Sequence, residues 1–105
     1  MNMNEYKIRE GIVLESILGR YLLISTHAAL DRCSYVRRIE DIVAYYWEMM
    51  EEGLSVDEMA DKASELFNGV EKDELKKDIQ ELIKQLKEYG YLLSDEEMME
   101  EYTGS

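Results

Sequence analysis

Few residues in this chain could carry covalent or metal chemistry. His27 is the only histidine and Cys33, six positions on, the only cysteine. A thiolate–imidazole pair works when the two side chains meet and a third group orients the base. Nothing around either residue suggests that third group or an oxyanion hole, so a loop histidine and a small buried thiol is the better reading. The same two side chains cannot fill a tetrahedral zinc shell, and the chain has no Cys-x-x-Cys or His-x-x-x-His spacing. Its acidic runs lack the alternating Asp/Asn and central Gly of a calcium loop. Gly11, Gly19 and Gly53 stand singly, which is no cradle for phosphate. The expectation is a protein with no catalytic residue, no metal and no cofactor.

Recognition is what remains, and charge says where. The formal charge is -12, unevenly placed: residues 1–40 hold six bases against five acids, the remainder six lysines against nineteen carboxylates. Such a surface repels phosphate backbones and argues against nucleic-acid binding. The basic island of the first part is Arg32, Arg37 and Arg38. It coincides with residues 33–39 (CSYVRRI), which cluster types that favour extended structure. Continuing the following helix back through this stretch is the competing reading, since arginine tolerates helix well. The strand is preferred because it would protect a hairpin that is marginal alone. A strand with a free outer edge is either an aggregation hazard or a place where an extended peptide adds.

The elements that would position this edge follow from pattern. At 105 residues with 46% hydrophobic content the chain reads as one folded domain with one modest core. No apolar run approaches a membrane span, and the polar start is unlike a signal peptide, so a cytoplasmic protein is expected. Residues 12–17 and 20–26 read as a hairpin about Leu18-Gly19. Residues 27–32 are a loop or a first helical turn. A helix over 41–52 buries Ile42, Val43, Tyr46, Trp47 and Met50 and stops at Gly53. Ser55 and Glu58 form a capping box for a second helix to Phe67, burying Met59, Ala60, Ala63 and Leu66. A third, over 72–89, carries an inward seam of Leu75, Ile79, Leu82, Leu86 and Tyr89. Gly90 caps it, and Tyr91-Leu92-Leu93 packs back as an extended tail. Residues 1–7 are expected to be loose, and 94–105 to be an acidic, disordered tail, which leaves 1–93 as the domain.

Ile83 widens the seam of the third helix on one flank, alongside Lys76, Gln80 and Lys87. With the strand they would make a groove with an apolar floor and basic walls. Such a groove suits an extended peptide carrying acidic and aliphatic residues. Met49, Met50 and Met59 are better read as core filling than as an adaptable groove. The acidic helix faces are ordinary solvated surface.

The order of elements, a three-stranded antiparallel N-terminal sheet followed by three helices, is α+β and winged-helix-like. The runs Ile8-Arg9-Glu10-Gly11, Gly19-Arg20-Tyr21-Leu22-Leu23, Tyr46-Trp47-Glu48-Met49-Met50 and residues 53–60 carry a resemblance, as does Asp78-Ile79 through Leu86 to Gly90-Tyr91-Leu92. Over residues 8–93 the chain resembles the PqqD-like family, the peptide-recognition domains (RiPP recognition elements) of ribosomal peptide natural-product pathways. It departs at Ile39-Glu40-Asp41, where the family usually shows Leu-Asn-Glu, and in the loop over 26–32, which leaves the register of the third strand open. The resemblance implies a non-catalytic chaperone. The leader segment of a precursor peptide would add to strand three, clamped by helix three, and be presented to a modifying enzyme, often a radical-SAM enzyme. Cys33, Ser34, Tyr35, Val36, Arg37 and Arg38 would pair with the leader, and Lys76, Gln80, Ile83, Lys84 and Lys87 would form the opposing wall. A winged-helix transcription regulator is the main alternative. Its recognition helix would be the second, where Asp57, Glu58, Asp61 and Glu65 face only Lys62. An adaptor subunit is a third reading, and a second copy could pair through the same bare edge.

Overall fold

A hairpin opens the fold: β1 (Ile12–Ile17) runs antiparallel to β2 (Arg20–Ser25). The computed structural model describes residues 5–31, 33 and 35–102. The turn at Leu18-Gly19 places both residues at positive φ, 51° and 76°. That is the geometry that matches the right-handed twist of two paired strands. The chain then passes through a short 3-10 helix (His27–Asp31) into β3 (Val36–Ile39). The sheet order is β1-β2-β3. Strand three is therefore shorter than the sequence pattern predicts. It begins at Val36, with Tyr35 in a bend before it.

Side chains alternate across the sheet. Ile12, Leu14, Leu23, Ser25 and Ile39 lie on one face, and Leu23 and Ser25 there are fully buried. Val13, Glu15, Leu22, Ile24, Val36 and Arg38 lie on the other, which faces away from the core. The helices cover the first face. They are α1 (Asp41–Glu51), α2 (Val56–Leu66) and α3 (Lys72–Tyr89). One cluster joins Leu23 of the sheet to Trp47 and Met50 of α1, Met59 and Ala63 of α2, and Ile79 and Leu86 of α3. The methionines of α1 and α2 fill core, as expected.

The capping box at the start of α2 is present in both halves. The Glu58 amide donates to Ser55 Oγ at 3.1 Å, and the Ser55 amide to Glu58 Oε1 at 2.9 Å. Such a cap contributes about 1 kcal/mol. Three apolar positions depart from the expected faces, the first being Ile42 on the opening turn of α1, 36% exposed. Leu66 and Tyr89, each on the last turn of its helix, are 61% and 47% exposed. A helical seam ends where the neighbouring element ends, and periodicity alone does not show that point.

The first and last described segments are better anchored than composition suggests, while the expectations for 1–4 and 103–105 lie outside the described residues. Tyr6 is buried, and its hydroxyl donates to the carbonyl of Leu54, between α1 and α2. Ile8 bridges to Leu92, flanked by hydrogen bonds from the Arg9 amide to Tyr91 O and the Leu93 amide to Lys7 O, 3.0 and 2.8 Å. The stretch expected as a loose acidic tail forms a further helix, α4 (Asp95–Tyr102). Ser94 and Glu97 make a second capping box at its start, and Glu97 also accepts both terminal nitrogens of Arg9 at 2.9 and 2.7 Å. The tail reading weighed charge and missed that Ser94-x-x-Glu97 repeats the pattern of Ser55-x-x-Glu58.

Candidate functional site

The register of β3 decides what its edge offers. Val36 stands opposite Ile24, Arg37 opposite Leu23, Arg38 opposite Leu22 and Ile39 opposite Tyr21. In the same register the Ser25 amide donates to the Tyr35 carbonyl at 2.8 Å. Hydrogen-bonded and non-bonded pairs alternate along an antiparallel ladder. Tyr35, Arg37 and Ile39 therefore turn their backbone groups toward β2. Val36 and Arg38 turn theirs to the outer side, where no other described strand pairs with them.

Side chains follow the complementary rule. Arg37 shares a sheet face with Leu23 and so points toward the helices. Its guanidinium carbon lies 4.1 Å from the centre of the Tyr89 ring and 5.9 Å from that of Tyr91. Its Nε donates to the Tyr91 hydroxyl at 3.3 Å. Tyr89 and Tyr91 are tilted neighbours, with ring centres 6.5 Å apart. The C-terminal end of α3 thus stands beside the edge of β3, with Arg37 between them.

Gly90 fixes this junction. Its φ of 90° is the left-handed cap that ends α3 and turns the chain back under the sheet. Its carbonyl accepts from Arg9 Nε at 2.6 Å and from the Cys33 thiol at 3.1 Å. The lone thiol is thereby tied to the helix end, while His27 is exposed at positive φ at the start of the 3-10 helix. Among the described residues no cluster of His, Cys, Asp and Glu could hold a metal ion. No helix described is long and apolar enough to cross a membrane.

The expected edge residues Cys33, Tyr35, Val36, Arg37 and Arg38 fall on or beside β3. Ser34 and Arg32 lie outside the described residues. The residues expected as the opposing wall lie in the core, toward α2 and α4, or exposed on α3. Ile83 is core, 5% exposed. Lys76 pairs with Asp57 of α2 at 3.3 Å, as Lys72 does at 3.2 Å, and Lys87 pairs with Asp95 of α4 at 2.7 Å. Lys72 and then Lys76 hold the Asp57 carboxyl below its usual range. Gln80 and Lys84 are exposed on the same flank. At 100° per residue this flank lies across α3 from Tyr89, the residue that Arg37 meets. The sequence shows that α3 has two flanks but not which one turns to the strand, because that depends on how α2 docks. Tyr89 and Tyr91 were read as seam and tail. No local pattern could pair them with an arginine fifty residues earlier.

Two further hollows lie away from this junction. One of about 420 Å³ sits between the hairpin tip and the start of α1, lined by Arg20, Tyr21, Arg38 and Asp41 among others. The other, about 370 Å³ and mostly apolar, lies between α1 and α3 at Ile42, Tyr46, Leu75 and Leu82. Trp47 Nε1 is buried with no acceptor among the described residues.

Comparison with known proteins agrees with this architecture. The family described as coenzyme PQQ synthesis protein D (PqqD) matches residues 36–92, more than half of the chain. Among solved structures, the chain is similar to "TbiB1 in Complex with the TbiA(beta) Leader Peptide". The TM-score is 0.69 at 17% identity, over 84% of this chain and 95% of that one. Among curated proteins none matches this chain by sequence. The α+β, winged-helix-like arrangement expected from the order of elements is the one observed, with α4 added.

Proposed function

The chain belongs to the PqqD family, and from that premise we propose that it binds the leader segment of a ribosomally made precursor peptide. It holds that segment as a strand added to β3 and presents it to a modifying enzyme of the radical-SAM kind. In this reading the chain does no chemistry of its own and works in the cytoplasm. The observation that carries the reading is the outer side of β3. The backbone groups of Val36 and Arg38 point outward there, and the aromatic end of α3 stands alongside. Backbone pairing supplies affinity, and the alternate side chains of the added strand supply specificity. The similar fold of TbiB1, which is described in complex with a leader peptide, supports the same use.

The wall that the peptide meets is then the Tyr89 flank of α3. Lys76, Gln80, Lys84 and Lys87 are left on the side toward α2 and α4. The unit that folds for this purpose runs through residue 93, and α4 buttresses it through Arg9 and Glu97. A transcription regulator is disfavoured by α2, whose exposed side carries Asp57, Glu58 and Asp61 and would meet phosphates with like charge.

The test begins with the genes beside this one, where a short precursor-like reading frame and a radical-SAM gene are expected. Titrating the full chain with that precursor's leader should move the amide signals of Val36, Arg38 and Tyr89 more than those of Lys76 and Lys84. Tight binding that leaves Val36 and Arg38 unmoved would place the site elsewhere, and no binding to the full leader would remove the reading. A second copy could occupy the same edge. In that case sedimentation should show a dimer that the leader dissociates.

A further inference from the structure

Carboxylates outnumber bases two to one in this chain, twenty-four against twelve. Lys72 holds two, and Arg9, Lys76 and Lys87 each hold one. Arg37 does not. It is half-buried beside the peptide edge, and among the described residues its contacts are the Tyr89 ring and the Tyr91 hydroxyl. A partly desolvated guanidinium without a counter-ion is costly. Here it is held in place by a π face and one hydrogen bond, which leaves its two terminal nitrogens undirected toward any described acceptor.

We infer that Arg37 is the specificity-determining residue of this edge, a fixed guanidinium that takes one Asp or Glu side chain of the bound peptide. The inference rests on the strand-addition reading above and adds a register to it. Whichever way an added strand runs, the residue opposite Arg37 projects toward the same face, between β3 and Tyr89. A carboxylate there meets a planar donor already oriented by stacking, the arrangement in which arginine loses least freedom on forming a forked pair. Residues two positions to either side share that face and lie opposite Tyr35 and Ile39, which favours apolar side chains. Their intervening neighbours project to the outer face beside Val36 and Arg38. The recognised segment is apolar-x-acidic-x-apolar. The Arg38 side chain, on the outer face, takes no part in reading the acid, although its backbone pairs with the peptide.

A displayed library of random twelve-residue peptides selected on the full chain provides the probe. Selected peptides should carry Asp or Glu at one position with apolar residues two places before and after, and should move the Val36 and Arg38 amides. For a synthetic selected peptide, replacing that acid by its amide should weaken binding at least tenfold against the wild type and less than threefold against R37Q. R37K keeps the charge and loses the planar fork. It should show an intermediate penalty and replaces R37Q if that variant fails to fold. Y89L, which removes the stacking face, should reduce the discrimination several-fold, whereas Y89F should not. If peptides bind at the edge but show no acidic preference, or if R37Q leaves the amide penalty unchanged, the inference fails and strand addition stands. If no selected peptide moves the Val36 and Arg38 amides, both fail together.

Discussion

Two residues, one ill-suited to its position and one well suited, each have a measurable consequence. Leu18 occupies the first left-handed position of the hairpin turn, φ 51°, and is 95% exposed. Asn or Gly adopts that conformation with less strain, and an exposed leucine gains nothing from packing. Leu18→Asn should therefore raise the unfolding free energy by roughly 0.5–1 kcal/mol, read as a higher denaturant midpoint at unchanged slope. Glu97 is the opposite case. The Arg9 guanidinium, with help from the Ser94 amide, holds its carboxyl well below the usual 4.5, at about 2. A carboxylate whose pKa falls on folding binds fewer protons in the native state, so its stabilisation is complete above the unfolded pKa. It fades as pH drops from about 4.5 toward about 2. The pair is partly open to solvent, so a contribution on the order of 1–2 kcal/mol is expected rather than the full linkage value. Glu97→Gln should lose that amount at pH 7, and its stability should converge on the wild type as the pH is lowered through that window.

At the scale of elements, β3 is the most exacting test, because neighbouring positions of one short strand face opposite ways. Proline at position 36 removes an amide that points to the free edge, whereas proline at position 37 removes one that pairs with β2. Val36→Pro should retain the far-UV spectrum and most of the stability while abolishing leader binding. Arg37→Pro should cost about 3 kcal/mol or more and shift the thermal midpoint down. Equal damage from both would mean that the outer edge is not the side used. The same elements show what the sequence made legible. The hairpin, α1, the capping box of α2 and the span of α3 could be read from periodicity and caps, because those signals are local. The basic stretch could be picked out as a strand with a free edge from its charge and alternation. The facing flank of α3 could not, because Arg37 meets Tyr89 only after α2 has docked and fixed the rotation of α3. The roles of Arg9 and Cys33 were hidden for the same reason, since both act on Gly90 from the far end of the chain. α4 is legible only in its cap, the Ser94–Glu97 pair, since its five carboxylates mask the helix in composition.

For the molecule as a whole, the question is whether the edge and the helices that flank it form one cooperative unit. The core is a single cluster that includes Tyr6 and Ile12 from the start of the chain, Trp47 at its centre, and Tyr91 and Leu92 after α3. Among the described residues neither the sheet nor the α2–α3 pair has a second core to fall back on, so removing either exposes the apolar face of the other. Small domains built in this way unfold in one step. Trp47 is the only tryptophan and is fully buried, so its emission reports the junction of sheet and helices directly. Helical ellipticity reports α1, α2 and α3 together. The two signals should give the same thermal midpoint, with a van't Hoff enthalpy of about 60–80 kcal/mol as expected for a domain of this size. A tryptophan transition that precedes the loss of ellipticity would mean that the α2–α3 pair, with its Lys72–Asp57 and Lys72–Asp61 bridges, persists after the sheet has come away. In that case the β3 edge would be a separately folding element, and a bound leader would raise the first midpoint alone. With one cooperative unit, the leader raises both midpoints equally, by an amount fixed by its concentration over its dissociation constant.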